Sequence, residues 1–223
     1  ITFFSPLVLG KAAAGLLGGG THPKEGSGET LNRATFKFDK PYAAIRQLPA
    51  QKGEKAPRYV LDFDLKPGET LQVKVALSTV SVDGAKKNLA AEIPHWNFTK
   101  VRAQTKTAWN ALLSRAKIEG TLEQKENFYT AMYHACLSPT IYQDVDGQYR
   151  GLDQTDHYNK PRIHQNYTTF SLWDTYRALH PLFNLIQRGR SMEMVRSMLA
   201  HYRQSAHDML PIWSHHANEN WCM

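Results

Sequence analysis

The first regular pattern along the chain is an alternation of apolar and polar residues between residues 35 and 82. Apolar side chains recur at every second position in "RYVLDFDL" and again in "TLQVKVAL", two stretches separated by "KPGE". A period of two is typical of a strand with one buried and one wet face, and Pro67-Gly68 favours a turn between the strands. We therefore predict antiparallel strands here, with Val73, Val75 and Leu77 on the apolar face.

After Pro94 the spacing of apolar residues lengthens to that of helices. A first helix is predicted over residues 98–117, and Gly120 follows it as a stop. A second helix begins at Thr121, which fits a capping box with Gln124, and ends at Ser138-Pro139. Because only a few residues join the two helices, we predict that they form an antiparallel pair.

The remaining third of the chain contains mainly helical patterns. The dipeptide Asp146-Gly147 in "IYQDVDGQYRG" is typical of a hairpin turn. Beyond a polar loop over residues 151–166, helical spacing returns in "FSLWDTYRALHPLFNLIQ" and "SMEMVRSMLAHYRQSAH", the latter ending near Asp208. Strands thus come first and only helices follow, which favours an α+β chain, a β domain and then a helical domain, over a βαβ alternation.

Composition and charge narrow the possible classes of protein. Among 223 residues, 42% are hydrophobic and the net charge is +7, but the 27 Lys and Arg are scattered and form no long run of like charges. We interpret the charge as a solvated surface and predict no nucleic-acid partner. No apolar stretch reaches the roughly 18 residues of a membrane span, so none is predicted. Two cysteines are too few for a disulfide framework or a cysteine zinc site.

A first cluster of candidate binding residues lies in "FSLWDTYRALHPL", residues 170–182. On one continuous helix, Trp173, Asp174 and Arg177 would project from the same side, because side chains three or four residues apart are one turn apart. One interpretation is an Asp174–Arg177 surface pair with Trp173 in the core. The other is a sugar platform, in which the indole stacks on a pyranose and the carboxylate accepts hydrogen bonds from its hydroxyls.

A second cluster follows in "LPIWSHHANENWCM", predicted to be a loop between helices, where binding residues often collect. Its polar and aromatic members are Trp213, His215, His216, Asn218, Glu219, Asn220 and Trp221. Adjacent histidines point in different directions and no spaced third ligand accompanies them, so a zinc site is not predicted. Because both clusters lie at helix ends, the two could line a common pocket.

Four separated motifs give the chain a family resemblance. They are "VKVALSTVSVDGAKKNLAAEIPHWNF", "FYTAMYHACLSPTIYQDVDGQYRG", "FSLWDTYRALHPLFNLI" and "MLPIWSHHANENWCM". In this order they resemble glycoside hydrolase family 92, the calcium-dependent α-mannosidases best known from gut Bacteroidetes, over about residues 71–223. The resemblance implies part of an N-terminal antiparallel β-sandwich in residues 1–93, linking helices in residues 94–138, and in residues 139–223 the helices that open an (α/α)6 catalytic barrel.

The resemblance also implies a function. Family members are exo-acting and invert the anomeric centre while removing terminal, most often α-1,2-linked, mannose from N-glycans or mannans, with calcium as cofactor. We therefore expect part of a periplasmic, cell-surface or secreted bacterial enzyme that acts on mannose-containing glycans. The alternative is a non-catalytic carbohydrate-binding or structural module.

The family's site residues can be placed only in part. Asp174 and the loop Glu219, Asn220, Trp221 and Cys222 match positions in the wall of the family's mannose pocket, and Trp173, Arg177 and Trp213 lie beside them. The family's catalytic acid and base lie downstream of the motif that ends at Met223, so no catalytic residue is named, and the calcium ligands stay unassigned. We expect the remainder of a longer chain to supply them, and the 223 residues alone to be inactive.

Overall fold

The computed structural model describes residues 33–49, 58–160 and 164–220, and also three short strands in residues 2–18. The first elements in chain order are β1 (Thr2–Phe4), β2 (Val8–Leu9), β3 (Leu17–Gly18), β4 (Arg33–Phe38), β5 (Ala44–Leu48), β6 (Arg58–Asp62), β7 (Val73–Ser78), α1 (Val82–Glu92), α2 (Phe98–Leu113) and α3 (Leu122–Ala135). They are followed by β8 (Thr140–Ile141), β9 (Gln148–Arg150), β10 (Asp156–Tyr158), β11 (Tyr167–Thr168), β12 (Phe170–Ser171), α4 (Leu172–Thr175), α5 (Leu179–Ile186), α6 (Arg188–Gln204), β13 (Trp213–His215) and β14 (Asn218–Asn220).

These elements form two compact units. The first consists of Ile1–Trp96, Gln143–Arg150 and Asp156–Tyr158, and the second of Asn97–Tyr142, Gly151–Thr155 and Asn159–Met223. The first unit contains the antiparallel strands β1–β7 and the second contains α2–α6, so strands precede helices as the sequence pattern predicts. The domain boundaries at residues 93 and 138 stay predictions.

Antiparallel pairing in the first unit confirms the strands predicted there. Strand β4 pairs with β7 along six residues, and a separate sheet has the order β1-β6-β5. The predicted turn is present after β6: the Glu69 amide donates to the Lys66 carbonyl at 3.0 Å, and Gly68 has a φ of +84° that favours glycine. Within this unit Phe38 of β4 contacts Phe63, with ring centroids 5.1 Å apart.

The apolar face predicted for β7 is the more exposed one, which corrects the sequence interpretation. Val73, Val75 and Leu77 are exposed, whereas Lys74 and Ser78 are buried. The Lys74 ammonium on the buried face has partners: it donates to the Ile93 carbonyl at 2.9 Å and lies 4.1 Å from the centroid of the Trp96 ring. A lysine stem can cover apolar surface while its charge reaches such partners, so alternation alone does not decide which face is inside.

Helix α1 was not predicted from the apolar pattern. Ser81 caps it by accepting a hydrogen bond from the Gly84 amide at 2.9 Å. Its buried residues are Gly84, Ala85, Asn88 and Leu89, of which only one is a large apolar residue. A helix that buries small and polar side chains gives almost no apolar stripe, and this explains why it was missed.

Helices α2 and α3 are the two helices predicted after Pro94, although α2 ends at Leu113 and not near residue 117. The Thr121–Gln124 capping box is present at the start of α3. Trp109 contacts Tyr133, with ring centroids 4.6 Å apart, and the Tyr129 hydroxyl donates to the Ala116 carbonyl at 3.2 Å. The earlier residue Trp109 thus meets the later residue Tyr133, and Ala116, which follows α2, meets the earlier residue Tyr129. The contacts run in opposite order along the two segments, so the pair is antiparallel as predicted.

The expectation that only helices follow the early strands is wrong. In the part of the chain that the structure describes, seven short strands follow α3: β8–β12 come before α4, and β13 and β14 come after α6. The Asp146-Gly147 turn forms, with the Gly147 amide donating to the Asp144 carbonyl at 2.8 Å, but β9 pairs with β10 and not with β8. Strand β8 pairs instead with the more distant β11, because the tertiary context of a strand can outweigh its local sequence pattern.

The core of the second unit lies under β11, β12 and the last helices. Its fully buried members are Tyr167, Phe170, Phe183 and Met194, and Leu172, Leu179, Ile186 and Met198 pack against them. Within the described parts of the chain, no helix has the length and apolarity needed to cross a membrane.

Candidate functional site

The first cluster of candidate residues does not lie on one continuous helix. Phe170 and Ser171 form β12, α4 covers only Leu172–Thr175, and a new helix starts at Leu179. Pro181 explains the interruption, because it has no amide proton to donate to the Arg177 carbonyl and its ring would clash with that carbonyl in an unbroken helix. The break leaves Trp173 and Asp174 at a strand-to-helix corner.

The second cluster forms a hairpin and not the predicted loop. Strands β13 and β14 pair antiparallel, and two left-handed residues, His216 and Ala217 (φ 46° and 62°), make a two-residue turn of the type that matches strand twist. The Thr168 hydroxyl accepts a hydrogen bond from the His216 amide at 2.8 Å, and the Gln154 side chain donates to the Ala217 carbonyl at 2.6 Å. The turn is therefore held by two other segments of the same unit.

The two clusters meet in one sheet, which has the strand order β12-β13-β14. Ser171 lies opposite Trp213 in the register, and Phe170 lies opposite Ser214. The Trp213 indole nitrogen donates to the Ser171 hydroxyl at 2.6 Å, and this hydroxyl contacts the Asp174 carboxylate oxygen Oδ2. The structure thus brings Asp174 and Trp213 together, through a residue that the sequence analysis did not select.

Trp173 and Arg177 lie beside this network without joining it. Trp173 is 60% exposed, so the interpretation of Trp173 as a core residue is wrong. The Arg177 guanidinium donates to the Tyr176 hydroxyl at 2.6 Å, and the Asp174–Arg177 surface pair does not form. The exposed indole face and the carboxylate of adjacent residues are the two chemical groups that a sugar platform requires.

The remaining predicted site residues are only partly described. The backbones of Glu219 and Asn220 belong to β14, opposite Ser214 and Trp213 in the register. Trp221 and Cys222 lie outside the described residues. The assignment of these four to the pocket therefore stays a prediction.

His201 of α6 packs against the β12-β13-β14 sheet. Its Nδ1 is 2.9 Å from the Ser214 hydroxyl, and its ring meets Phe170 edge-on at 5.7 Å between centroids. Burial lowers the pKa of His201 from 6.5 to about 4, because its environment is too poorly solvated for an imidazolium. Burial, and then the neighbouring His216, also lower the pKa of His215.

We expect the second unit to lose stability as the pH falls below about 6.5. A pKa lower in the folded than in the unfolded state means that unfolding takes up a proton between pH 6.5 and pH 4. The contribution of His201 is complete above this window and is lost as pH falls, by about 2 kcal/mol at pH 5. Urea unfolding at pH 7 and pH 5 measures it.

The matched variant is His201→Asn, whose amide can take the place of Nδ1 beside Ser214 but does not titrate. It should be less stable than the wild type at pH 7 and show a smaller loss between pH 7 and pH 5. Equal losses in the two proteins would assign the pH dependence to other groups.

Metal binding finds no support within the site. Among the residues whose side chains the structure describes (33–49, 59–160 and 164–218), no three histidines, cysteines, aspartates or glutamates come together in an arrangement that could hold a metal ion. These residues do not fit a calcium site of their own, and we assign no calcium ligand to them.

The sequence around Ser171 contains a local signal for this residue. The stretch Ser171-Leu172-Trp173-Asp174 has the spacing of a capping box, with serine three residues before an acidic residue at the start of an apolar segment. In the structure the Ser171 side chain makes no cap hydrogen bond to the backbone and contacts the acidic side chain instead.

Comparisons with known proteins place the chain in a family. Residues 84–223 match the model of the glycosyl hydrolase family 92 catalytic domain. No curated protein matches the chain. Among solved structures, the family GH92 α-mannosidase BT3965 from Bacteroides thetaiotaomicron is similar, with 40% identity and a TM-score of 0.79 over 86% of this chain and 28% of that one.

Two further structures extend the comparison. The same α-mannosidase in complex with mannoimidazole is similar with 40% identity and a TM-score of 0.79, over 86% of this chain and 27% of that one. The inverting family GH92 mannosidase BT2199 from Bacteroides thetaiotaomicron VPI-5482 shares 26% identity and a TM-score of 0.74, over 86% and 27% of the two chains. The chain spans little more than a quarter of the length of these relatives. With the family model covering most of its residues and the fold shared with these enzymes, the chain belongs to glycoside hydrolase family 92.

Proposed function

We propose that this chain is part of an inverting exo-α-mannosidase and that β12, α4 and the β13–β14 hairpin form one wall of its mannose pocket. The observation that carries the proposal is that Asp174 and Trp213 share one hydroxyl, that of Ser171, beside the exposed indole of Trp173. A similar family member, 40% identical, has been solved with mannoimidazole bound. Terminal α-1,2-linked mannose of N-glycans or mannans is the proposed substrate.

The wall has the chemistry that a pyranose needs. One face of a sugar ring is apolar and packs on an indole, while its hydroxyls donate hydrogen bonds to a carboxylate. Asp174 is exposed, and its Oδ1 accepts no hydrogen bond from the described residues, so this oxygen is available to a sugar hydroxyl. Asp174 therefore binds and orients the mannose in this proposal.

The reaction itself needs further groups. Inversion requires one carboxylic acid to protonate the leaving oxygen and a second carboxylate, across the ring, to activate a water molecule. We assign neither role to a residue of this chain and propose that both, with the calcium ligands, lie in the remainder of a full-length enzyme as long as the relatives. Calcium, and a periplasmic, cell-surface or secreted location, are proposed on the family resemblance.

The test is mannose release by the full-length enzyme from α-1,2-mannobiose, with the α-1,3- and α-1,6-linked isomers as comparison. Proton NMR early in the reaction should show β-mannose, the inverted anomer, before mutarotation mixes the two anomers. The 223-residue chain assayed in parallel should release none. Release by the short chain would show that catalytic residues lie within it.

The same experiment examines the alternative of a non-catalytic carbohydrate-binding module. A full-length protein that binds mannoimidazole or mannose but releases no mannose from any of the three isomers would support the module. First-formed α-mannose would contradict inversion while leaving the mannosidase proposal in place.

A further inference from the structure

Ser171 occupies the corner between β12 and α4 and has an unusual set of contacts for a residue that precedes a helix. Serine in this position normally accepts a hydrogen bond from a backbone amide of the first helical turn. The Ser171 side chain makes no such bond. Its hydroxyl instead lies between the Trp213 indole nitrogen and the Asp174 carboxylate, two side chains of the proposed mannose pocket.

The chemistry of the two partners fixes the direction of both hydrogen bonds. An indole N–H can only donate, so the Ser171 oxygen accepts from Trp213, at 2.6 Å. A carboxylate only accepts, so the Ser171 hydroxyl proton is donated to Asp174 Oδ2. One hydroxyl thereby orients both side chains, and the two bonds polarise each other in the same direction.

The backbone around Ser171 holds this hydroxyl in place. Ser171 pairs with Trp213 in the sheet, and the Leu172 amide donates to the Ile212 carbonyl at 3.1 Å. The Thr175 hydroxyl donates to the Ser171 carbonyl at 2.9 Å. The preceding residue, Phe170, is almost fully buried in the core of the unit. The hydroxyl is thus anchored to packed structure, whereas Asp174 itself is exposed.

We propose that Ser171 is a positioning residue for the mannose pocket, which fixes the Asp174 carboxylate and the Trp213 indole in the orientation that receives the sugar. This inference rests on the proposed function. Without the hydroxyl, the exposed Asp174 side chain can rotate among several conformers, and the substrate must then select the productive one. Ser171 acts through Asp174 and Trp213 and does not itself need to touch the sugar.

The experiment compares three variants of the full-length enzyme by kcat/KM on α-1,2-mannobiose and by the Kd for mannoimidazole. Ser171→Ala removes the hydroxyl, and we expect kcat/KM to fall roughly tenfold, with weaker mannoimidazole binding. Ser171→Thr keeps a hydroxyl on a residue suited to a strand and should restore most of the loss. Thr105→Val is the matched control, because the Thr105 hydroxyl also donates to a helix carbonyl, that of Val101 at 3.0 Å, in α2 and away from β12, α4 and the β13–β14 hairpin.

A double variant tests whether Ser171 acts through Asp174. In an Asp174→Ala background, Ser171→Ala should reduce mannoimidazole affinity by much less than tenfold, since the acceptor of the Ser171 hydroxyl proton is already gone and only the bond from Trp213 is left to lose. Melting temperatures of all variants show whether each remains folded.

Each contrary result has a different meaning. If the wild-type enzyme hydrolyses mannobiose and Ser171→Ala matches it, the positioning role is wrong while the proposed function stands. A loss in Thr105→Val as large as in Ser171→Ala, or no recovery in Ser171→Thr, would mean that Ser171 has only a structural role. A folded wild-type enzyme that neither binds nor hydrolyses any mannoside would overturn both proposals.

Discussion

Asp174→Asn in the full-length enzyme is expected to lower kcat/KM for α-1,2-mannobiose by roughly 30-fold to 1000-fold, the effect of losing a charge-assisted hydrogen bond at the reacting sugar. The substitution preserves shape but replaces one carboxylate oxygen with an amide nitrogen, which cannot accept. Either the contact of Asp174 with the Ser171 hydroxyl or its proposed contact with the sugar must then be lost.

The pH profile separates binding from catalysis in this variant. Because we place the catalytic acid and base in other residues, Asp174→Asn should keep both descending limbs of the kcat/KM profile where the wild type has them. Loss of one limb would make Asp174 the acid or the base. Near-normal kcat/KM would mean that Asp174 is only a surface residue at a helix start. Asp208→Asn, an exposed aspartate in the loop after α6, is the matched control and should behave as the wild type.

Gly84→Ala is expected to lower the free energy of unfolding of the first unit by about 2–4 kcal/mol. A Cβ at residue 84 would overlap the Asp144 carboxylate oxygen Oδ2 and lie 2.8 Å from the Ser78 hydroxyl. Asp144 is only 4% exposed and depends on these surroundings. Denaturation followed by circular dichroism measures the loss.

The carboxylate at this position cannot move without losing its partners. Oδ2 accepts from the Ser78 hydroxyl at 2.6 Å, and Oδ1 accepts from the Asn88 amide at 2.8 Å. Burial raises the pKa of Asp144, and the hydrogen bonds from Ser78 and Asn88 oppose that rise. Displacing the side chain would leave a buried charge poorly compensated, which costs more than the added methyl group alone.

Gly189→Ala in α6 is the matched control for this substitution. Gly189 is helical like Gly84, but a Cβ there would meet no atom within 4 Å. Alanine in a helix is more favourable than glycine by about 0.5–1 kcal/mol, so this variant should equal or exceed the wild type in stability. Similar effects of the two substitutions would show that close approach to Asp144 is not what requires glycine at residue 84.

The sequence by itself determined the features that depend on neighbouring residues. The Pro67-Gly68 turn, the Thr121–Gln124 capping box, the pair α2 and α3 and the Asp146-Gly147 turn all form as predicted. Each is specified within a few residues by backbone restriction or by a side chain bonding to nearby amides. Pro181 carries the same kind of local information about the end of α4, although the helical spacing of apolar residues continues across it.

The motifs also pointed to the family and to the residues around Asp174. Most of that information came from four separated motifs in a shared order, because neither period nor composition distinguishes a sugar-binding helix start from a surface pair. The contacts within the site could be read only from the structure. In the structure Arg177 donates to Tyr176 and does not pair with Asp174 as one interpretation predicted. Asp174 contacts Ser171 instead, a residue that the sequence did not single out.

Only the tertiary structure decided the features that join distant residues. Ser171 and Trp213 are 42 residues apart in sequence, and their pairing in one sheet depends on the core beneath β12 and β13. Asp144 and α1 decided which face of β7 is buried. Asp144 accepts a hydrogen bond from the Ser78 hydroxyl, and Asn88 of α1 donates to the Leu77 carbonyl, so Ser78 is buried despite its polarity. A local pattern records which side chains share a face, but the free energy of burial depends on what that face meets, and those partners lie elsewhere in the chain.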